Sequence, residues 1–564
     1  MIQPRALLAI AAAAAPSLLA YNVSPSPTFL NQALSIALWG WFVAIAAPNA
    51  GGLWRGAGTL FGALALLLAS VCWSWGPGAL PTGLALSAIG MLLATGVLVA
   101  GGAGAHSRPD AATAFGDFCL GWAVAGALNV AIAVVQVFFP DIPDGDWIAQ
   151  SGIPGRAVGN LRQPNHLSSL LLWSAIAVIA LVELGRIGRR WAALLFVALV
   201  FAVLLTASRT GLLSVGLLAV WGLADRRLAK PTRALLLAAP LVYALAWFGM
   251  AEWAKLSAHT FGGAARLAEA DISGSRFGIW RNTLALIRQQ PWLGVGFGDF
   301  NFAWTLTPFP GRPIAFFDHT HNLPLQLAVE IGLPLTVAVM ALLLYALGRA
   351  GWLALKAEGD IGLGRRCAVM MVLMIGLHSL LEYPLWYSYF LLPAAWAWAF
   401  ALGRPGGAAV AGRPSVAVVA SGVALAVASV LAVWDYWSVA AIFDAKESPP
   451  LAQRIARGQR SVLFAHHADY AAATTGKPLA DDLKPFERAT HYLLDTRLMM
   501  AWAKALARHG EVDEARYLAA RLREFRNAGS EEFFDECKEA AASAPPFQCE
   551  APQRQPDWRE FVRP

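Results

Sequence analysis

A chain of 564 residues that is 57% hydrophobic and only 14% charged is not a soluble domain, where about a quarter of residues carry charge. Its mean hydropathy of +0.52 places most of it in lipid. The net charge of +7 would indicate nucleic acid in a soluble protein, but loops enriched in Lys and Arg beside a membrane account for it, so no nucleic-acid partner is expected.

A spanning helix needs about 20 mostly apolar residues. The first qualifying run, 5–21, holds the alanine-rich stretch Ala9 to Ala15. Further spans follow at once, so it reads as an uncleaved first helix and not a signal peptide. Next come 29–47, 56–75, 80–102, 115–139 and 167–184, then 191–207 and 210–224, parted only by the tight polar turn Ser208-Arg209-Thr210. The runs 234–250, 325–348, 367–383, 386–402 and 415–434 complete the series. The sequence thus predicts an all-α polytopic membrane protein of about 12–13 transmembrane helices. It divides into N-terminal spans at 1–150, a membrane region at 151–400 with a large loop at 251–324, a last span within 401–434, and a helical tail at 435–564.

Orientation follows from charge. With the N-terminus cytoplasmic, the cytoplasmic connections hold Arg55; Arg108; Arg186, Arg189 and Arg190; Arg226, Arg227, Lys230 and Arg233; Arg349, Lys356, Arg365 and Arg366; and Arg404 and Arg413. The opposite short connections at 22–28, 76–79 and 383–386 hold no Lys or Arg, the asymmetry that sets topology. An odd number of spans then leaves the tail outside. Three long external stretches remain: 140–166, 251–324 and the tail. They and the 208–210 turn carry Arg156, Arg162, Arg209, Arg276, Arg281, Arg288 and Arg312, against the sorting rule, and an anionic ligand is a local reason for them. In the tail, Met500 to Gly510 followed by Glu511 to Arg516 reads as helix, glycine stop, acidic helix start, one tetratricopeptide-like hairpin. Cys72, Cys119 and Cys367 read as small core residues, whereas Cys537 and Cys549 can pair if the tail faces an oxidising compartment.

Five polar sets fall on the external side. Asp318-His319-Thr320-His321-Asn322 precedes a span: a neutral imidazole there can take a proton from a nucleophile, with a polar neighbour fixing its tautomer. His-x-His with Asp can also ligate zinc, but no third strong ligand motif accompanies it, so no metal is expected. The plain reading is interfacial residues that hydrogen-bond the loop. In Arg162-Gln163-Pro164-Asn165-His166, Pro164 sets the turn into a helix and leaves Arg162 and Gln163 projecting, or anchoring the loop. Arg209, at a membrane interface, needs a partner or a ligand. Ser275-Arg276 with Trp280 and Arg281 is followed by Gly294-Val-Gly-Phe-Gly298. With no strand before it, the glycine run is a bent loop or a close backbone approach, not a dinucleotide fingerprint. His378 and Glu382, four apart, mark a functional site or an interhelical contact.

Several Arg around one His at lipid depth suit a membrane-embedded anion such as a polyprenyl pyrophosphate, since guanidinium groups bind phosphate bidentately and offset leaving-group charge. From about Leu161 to Pro393 the chain resembles the O-antigen ligase and protein O-oligosaccharyltransferase superfamily. The resemblance is carried by Arg162 to His166, Ser208-Arg209-Thr210-Gly211, Ser275-Arg276 with Trp280, Gly294 to Gly298, and His319-Thr320-His321-Asn322. His378 to Tyr389, with Glu382-Tyr383-Pro384 and Leu385-Trp386-Tyr387, and the helical tail are similar to the pilin-type branch.

The resemblance implies inverting, metal-independent transfer of a whole glycan from undecaprenyl pyrophosphate, with no cofactor, at the periplasmic face of the bacterial inner membrane. By position, His321 would be the base with His319 in support, and Arg209 and Arg276 would hold the pyrophosphate. Arg162, Gln163, Arg281, Asn322, Glu382 and Tyr383 or Tyr387 would help bind donor or acceptor. The acceptor would be a Ser or Thr hydroxyl of a pilin or other periplasmic protein. A ligase to lipid A–core and an O-antigen polymerase share the motifs, and only the tail favours a protein acceptor. A lipid-linked glycan transporter would place such groups at mid-membrane with repeat symmetry, and neither is visible here. A non-catalytic scaffold would tolerate loss of His321.

Overall fold

The computed structural model describes residues 3–46, 56–257, 259–268, 272–309, 311–314, 316–404, 415–444, 448–475, 483–539 and 545–562, without the side chains of 266–268, 272–275 and 539. Arg55, Arg413 and the side chain of Ser275 lie outside it. The described residues form helices and no strand. In chain order these are α1 (Pro4–Leu18), α2 (Phe29–Ile45), α3 (Gly58–Trp75), α4 (Thr82–His106), α5 (Ala111–Phe138), α6 (Pro164–Glu183), α7 (Arg189–Leu205), α8 (Arg209–Ala224) and α9 (Lys230–Ser257). There follow α10 (Gly262–Ala268), α11 (Ile272–Gln289), α12 (Phe300–Leu306), α13 (Leu323–Ile331), α14 (Leu333–Lys356), α15 (Gly359–Ser379), α16 (Ser388–Leu402) and α17 (Val416–Ala440). The tail holds α18 (Leu451–Gly458), α19 (Ala465–Thr474), α20 (Lys484–Tyr492), α21 (Thr496–Arg508), α22 (Val512–Phe525) and α23 (Glu531–Glu539).

Among the described residues, eight helices are long and apolar enough to cross a membrane, and α1, α2, α8 and α16 are shorter apolar helices. This is a polytopic membrane protein. Each predicted run meets a helix, with one difference: the run 325–348 is broken into α13 and α14 at Gly332. There φ is +77°, and a Cβ would stand 2.1 Å from the Trp292 carbonyl oxygen, so the chain turns where only glycine fits. The described part of 251–324 holds the end of α9 and α10, α11 and α12, joined by non-helical segments at 290–299 and within 307–322.

The chain forms two compact units. The first comprises Met1–Leu64, Leu93–Ala270 and Ala341–Val433, and α6 is its axis. Every α6 residue from Pro164 to Leu181 is buried. Gly126 of α5 allows a close crossing with α6, because a Cβ there would stand 2.3 Å from the Ser174 Cβ. Charge gathers at one end of this unit: Arg5 pairs with Asp117 at 2.7 Å and Asp110 at 2.6 Å, Arg186 with Asp117 at 2.8 Å, and Arg366 with Asp225 at 2.7 Å. The N-termini of α6 and α8 and the C-terminus of α15 lie at the opposite end, since each helix runs away from or towards these pairs.

The second unit comprises Ala65–Leu92, Asp271–Met340 and Trp434–Pro564. One apolar core joins α11, α12 and α13 to the tail, with Ile279, Trp304, Leu306 and Val329 packed among Leu498, Trp502, Tyr517 and Phe525. The α21–α22 hairpin turns at Gly510, φ +86°, as the glycine stop predicts. Arg312 is completely buried here, paired with Glu524 at 3.0 Å. Cys537 and Cys549 form a disulfide.

The glycine run 294–298 bends back on α13: Gly294, Gly296 and Gly298 all have positive φ, and the Val295 N–H donates to the Val329 carbonyl at 2.8 Å. A Cβ on Gly294 would stand 2.5 Å from the Glu330 carbonyl. Gly294→Ala is therefore expected to destabilise this unit by more than ~1 kcal/mol, read as a lower thermal midpoint of the full chain in detergent. An unchanged midpoint would show that the loop relaxes around the methyl group.

Candidate functional site

Three of the motifs share one backbone device. Arg162, Ala207 and His321 have φ of 58°, 49° and 55°, the left-handed region that residues other than glycine rarely adopt. Each stands directly before the capping residue of a helix. The Gln163 side chain accepts from the His166 N–H at 2.9 Å, that of Ser208 from the Gly211 N–H at 3.0 Å, and that of Asn322 from the Leu325 N–H at 3.0 Å. The reversal aims the residue at the junction while the cap holds the helix start. Pro164 and Pro324 occupy first-turn positions where a missing N–H costs nothing.

In the first unit these junctions bring three motifs together. Ser208 Oγ donates to Asn165 Oδ1 at 2.7 Å, and Asn165 Nδ2 donates to Glu382 Oε1 at 3.2 Å. One turn along α6, Ser169 Oγ and His378 Nδ1 share a hydrogen bond of 2.7 Å, and His166 Nδ1 shares one of 3.1 Å with the Tyr389 hydroxyl. Tyr387 lies edge-on to His166, with ring centroids 4.4 Å apart. Tyr383 lies tilted against Tyr387, with ring centroids 5.9 Å apart. His378 and Glu382 thus both reach α6, so the pair four apart makes an interhelical contact.

Arg162 and Gln163 do not simply project. Arg162 Nη2 donates to the carbonyls of Ala20 at 2.8 Å and Gly145 at 3.3 Å, and Gln163 caps α6. Arg156, similarly, is buried and donates to the Thr206 carbonyl at 3.0 Å. Arg209 is the first residue of α8 and is exposed.

In the second unit the His loop runs into α13. His319 is buried, with its Nδ1 paired to the Asp318 carboxylate. That contact directs the Nδ1 proton to the carboxylate and leaves Nε2 as the basic nitrogen. His321 is half-buried, its ring 4.4 Å from that of His319 and 5.6 Å edge-on from Phe317. Arg276 is half-buried on α11, one turn before Trp280, whose indole N–H donates to the Thr320 carbonyl at 2.9 Å. Arg276 therefore shares the α11 face that meets the His loop. Arg281 and Arg288 are exposed on the same helix. Asn322 serves as the cap of α13.

The residues that sequence reasoning missed are those that hold these motifs: Ser169, Tyr389 and Gln326. Gln326 sits inside an apolar run as a polar residue four before Glu330, and Ser169 follows Ser168 at the start of one; polar residues within such runs are the signal that marks them.

Residues 157–182 match a family described as protein glycosylation ligase, and residues 194–340 one described as O-Antigen ligase. Residues 194–340 are thus similar to an O-antigen ligase domain. Residues 367–532 match the C-terminal part of a virulence factor membrane-bound polymerase family. Together these stretches hold every motif described above. Among curated proteins, the chain is 27% identical over 282 residues to a ComP-specific O-oligosaccharyltransferase of Acinetobacter baylyi, covering 47% of this chain and 46% of that protein. It is also 27% identical over 265 residues to a general O-oligosaccharyltransferase of the same organism, covering 44% and 45%. The matched part thus spans about half the length of these relatives.

Proposed function

We propose that this protein is a glycosyltransferase that moves a glycan as a block from undecaprenyl pyrophosphate to Ser or Thr hydroxyls of exported proteins, with inversion and without metal or cofactor. The observation that carries the reading is the Asp318–His319 pair beside His321, on a strained junction at the start of α13. His321 takes the proton of the acceptor hydroxyl as its oxygen attacks the sugar carbon from the face opposite the pyrophosphate. The new C–O bond forms, the bond to the phosphate oxygen breaks, and the leaving pyrophosphate keeps the electron pair. Arg209 and Arg276 are assigned to offset that charge. Arg162, Gln163, Arg281, Asn322, Glu382, Tyr383 and Tyr387 are proposed to help place donor or acceptor, Arg162 and Gln163 through the loop they anchor.

The inner membrane is the proposed location, with the chemistry at the periplasmic face. In the first unit, the ion pairs of Arg5, Arg186 and Arg366 gather at the end opposite the motifs, as expected if that end is cytoplasmic. The Cys537–Cys549 disulfide favours an oxidising compartment for the tail. A protein acceptor is favoured by the names of the two relatives, both O-oligosaccharyltransferases.

The test supplies purified protein with an undecaprenyl-pyrophosphate glycan and either a pilin or rough lipopolysaccharide. Transfer to the pilin is expected; transfer to lipopolysaccharide alone would make the protein an O-antigen ligase. Activity should be unchanged in EDTA. A loss restored by added zinc would give the histidines to a metal instead.

A further inference from the structure

The two histidines are separated by Thr320, which is completely buried, and both of its backbone polar groups are held by side chains. Its N–H donates to Gln326 Oε1 at 2.7 Å, and its carbonyl accepts from Trp280 Nε1 at 2.9 Å. Its own hydroxyl donates to the Asn322 carbonyl at 2.9 Å. A backbone group in a buried loop normally pairs with other backbone. Here the peptide units joining His319 to His321 are gripped instead from α11 on one side and α13 on the other.

The grip has its own foundation. Gln326 Nε2 donates to Glu330 Oε1 at 2.9 Å, and both side chains are buried. Glu330 precedes the span that begins at Leu333. Its carboxyl is buried and receives hydrogen bonds from Gln326 and from the Gly298 and Phe300 amides. The backbone of Glu330 is fixed too, since its carbonyl accepts from the Gly296 N–H at 2.9 Å. The glycine loop is thus a rigid support for Glu330, Glu330 for Gln326, and Gln326 for Thr320. Holding one amide fixes the directions in which the neighbouring imidazoles leave the chain, and it supports the φ of +55° at His321.

We propose that Trp280 and Gln326 are positioning residues that clamp Thr320 and so set the relative orientation of His319 and His321 for proton transfer. This rests on the reading of His321 as the base. Neither side chain is assigned any contact with donor or acceptor.

The experiment measures steady-state transfer to a protein acceptor by Trp280→Phe, Gln326→Leu and the double variant, beside His321→Asn. Phe keeps the ring and removes only the indole donor; Leu keeps the bulk and removes both amide bonds. A base displaced by about 1 Å costs up to roughly 100-fold in rate. Each clamp variant is therefore expected to lower kcat by about 10- to 100-fold, with KM for the lipid-linked donor within twofold and an unchanged thermal midpoint for Trp280→Phe. The double variant should lose less than the product of the single losses, because both act on one peptide. If Trp280→Phe and Gln326→Leu keep wild-type kcat while His321→Asn is inactive, the clamp is refuted and the base stands. If His321→Asn is fully active, both fall together. A rise in KM with kcat unchanged would also overturn the proposal, by showing that these residues bind substrate.

Discussion

His321→Asn is expected to lower glycan transfer by at least ~100-fold with little change in thermal stability. Asparagine is the informative replacement because of the backbone. At φ +55° an alanine would keep the strain that histidine bears, whereas asparagine visits the left-handed region readily. The substitution therefore removes the imidazole without adding a folding defect. A positioned general base contributes about 10²- to 10⁴-fold, and that bounds the effect. His319 makes the sharper comparison. It is buried and paired with Asp318, whereas His321 is half-buried beside it. If His321 is the base, its loss costs more than that of His319, and the pH dependence of kcat moves in His319 variants while their residual rate stays measurable. A larger loss at His319 would reverse the roles. Full activity in His321→Asn would leave the chain a scaffold or a transporter.

The membrane architecture was legible because lipid imposes a simple rule: runs of about 20 apolar residues become helices. Each of the predicted runs met one, and the single break, at Gly332, follows from one backbone conformation inside an otherwise continuous apolar pattern. The local motifs were legible for the same reason, as polar sequences at the ends of such runs. Their internal geometry was not. Arg162, Ala207 and His321 adopt positive φ without being glycine, so no residue type announces the turn. Nor did spacing reveal that Arg162 and Gln163 engage backbone groups, or that Thr320 is held by Trp280 and Gln326, since those depend on which helices meet. The hardest feature to foresee was the core shared by α11–α13 and the tail. The Tyr517 hydroxyl donates to the Leu306 carbonyl at 2.6 Å across 211 residues of sequence. Helical periodicity identifies the apolar face of α22 but carries no information on what covers it.

Arg312→Ala is expected to destabilise the second unit by about 3–5 kcal/mol, the cost of breaking a buried charge pair by removing one partner. In the sequence, Arg312 is one of several external arginines that invite an anionic ligand. In the structure its guanidinium is completely buried. It pairs with Glu524, donates to the carbonyls of Trp304, Thr305 and Thr307, and lies 4.4 Å from the Phe525 ring centroid. Burial pulls it down to about 10, with Glu524 opposing, so it remains charged at neutral pH. Removing it takes the guanidinium donor from three carbonyls and leaves Glu524 with Arg521, 2.9 Å away, and the Phe309 N–H, 3.3 Å away. These contacts tie the 311–314 segment to α22, so limited proteolysis should release the tail sooner in the variant. The double variant Arg312→Leu with Glu524→Leu should recover part of the loss, because an apolar pair carries no charge to bury. A ligand-binding arginine predicts the opposite: glycan transfer falls, the thermal midpoint holds, and the second substitution restores nothing.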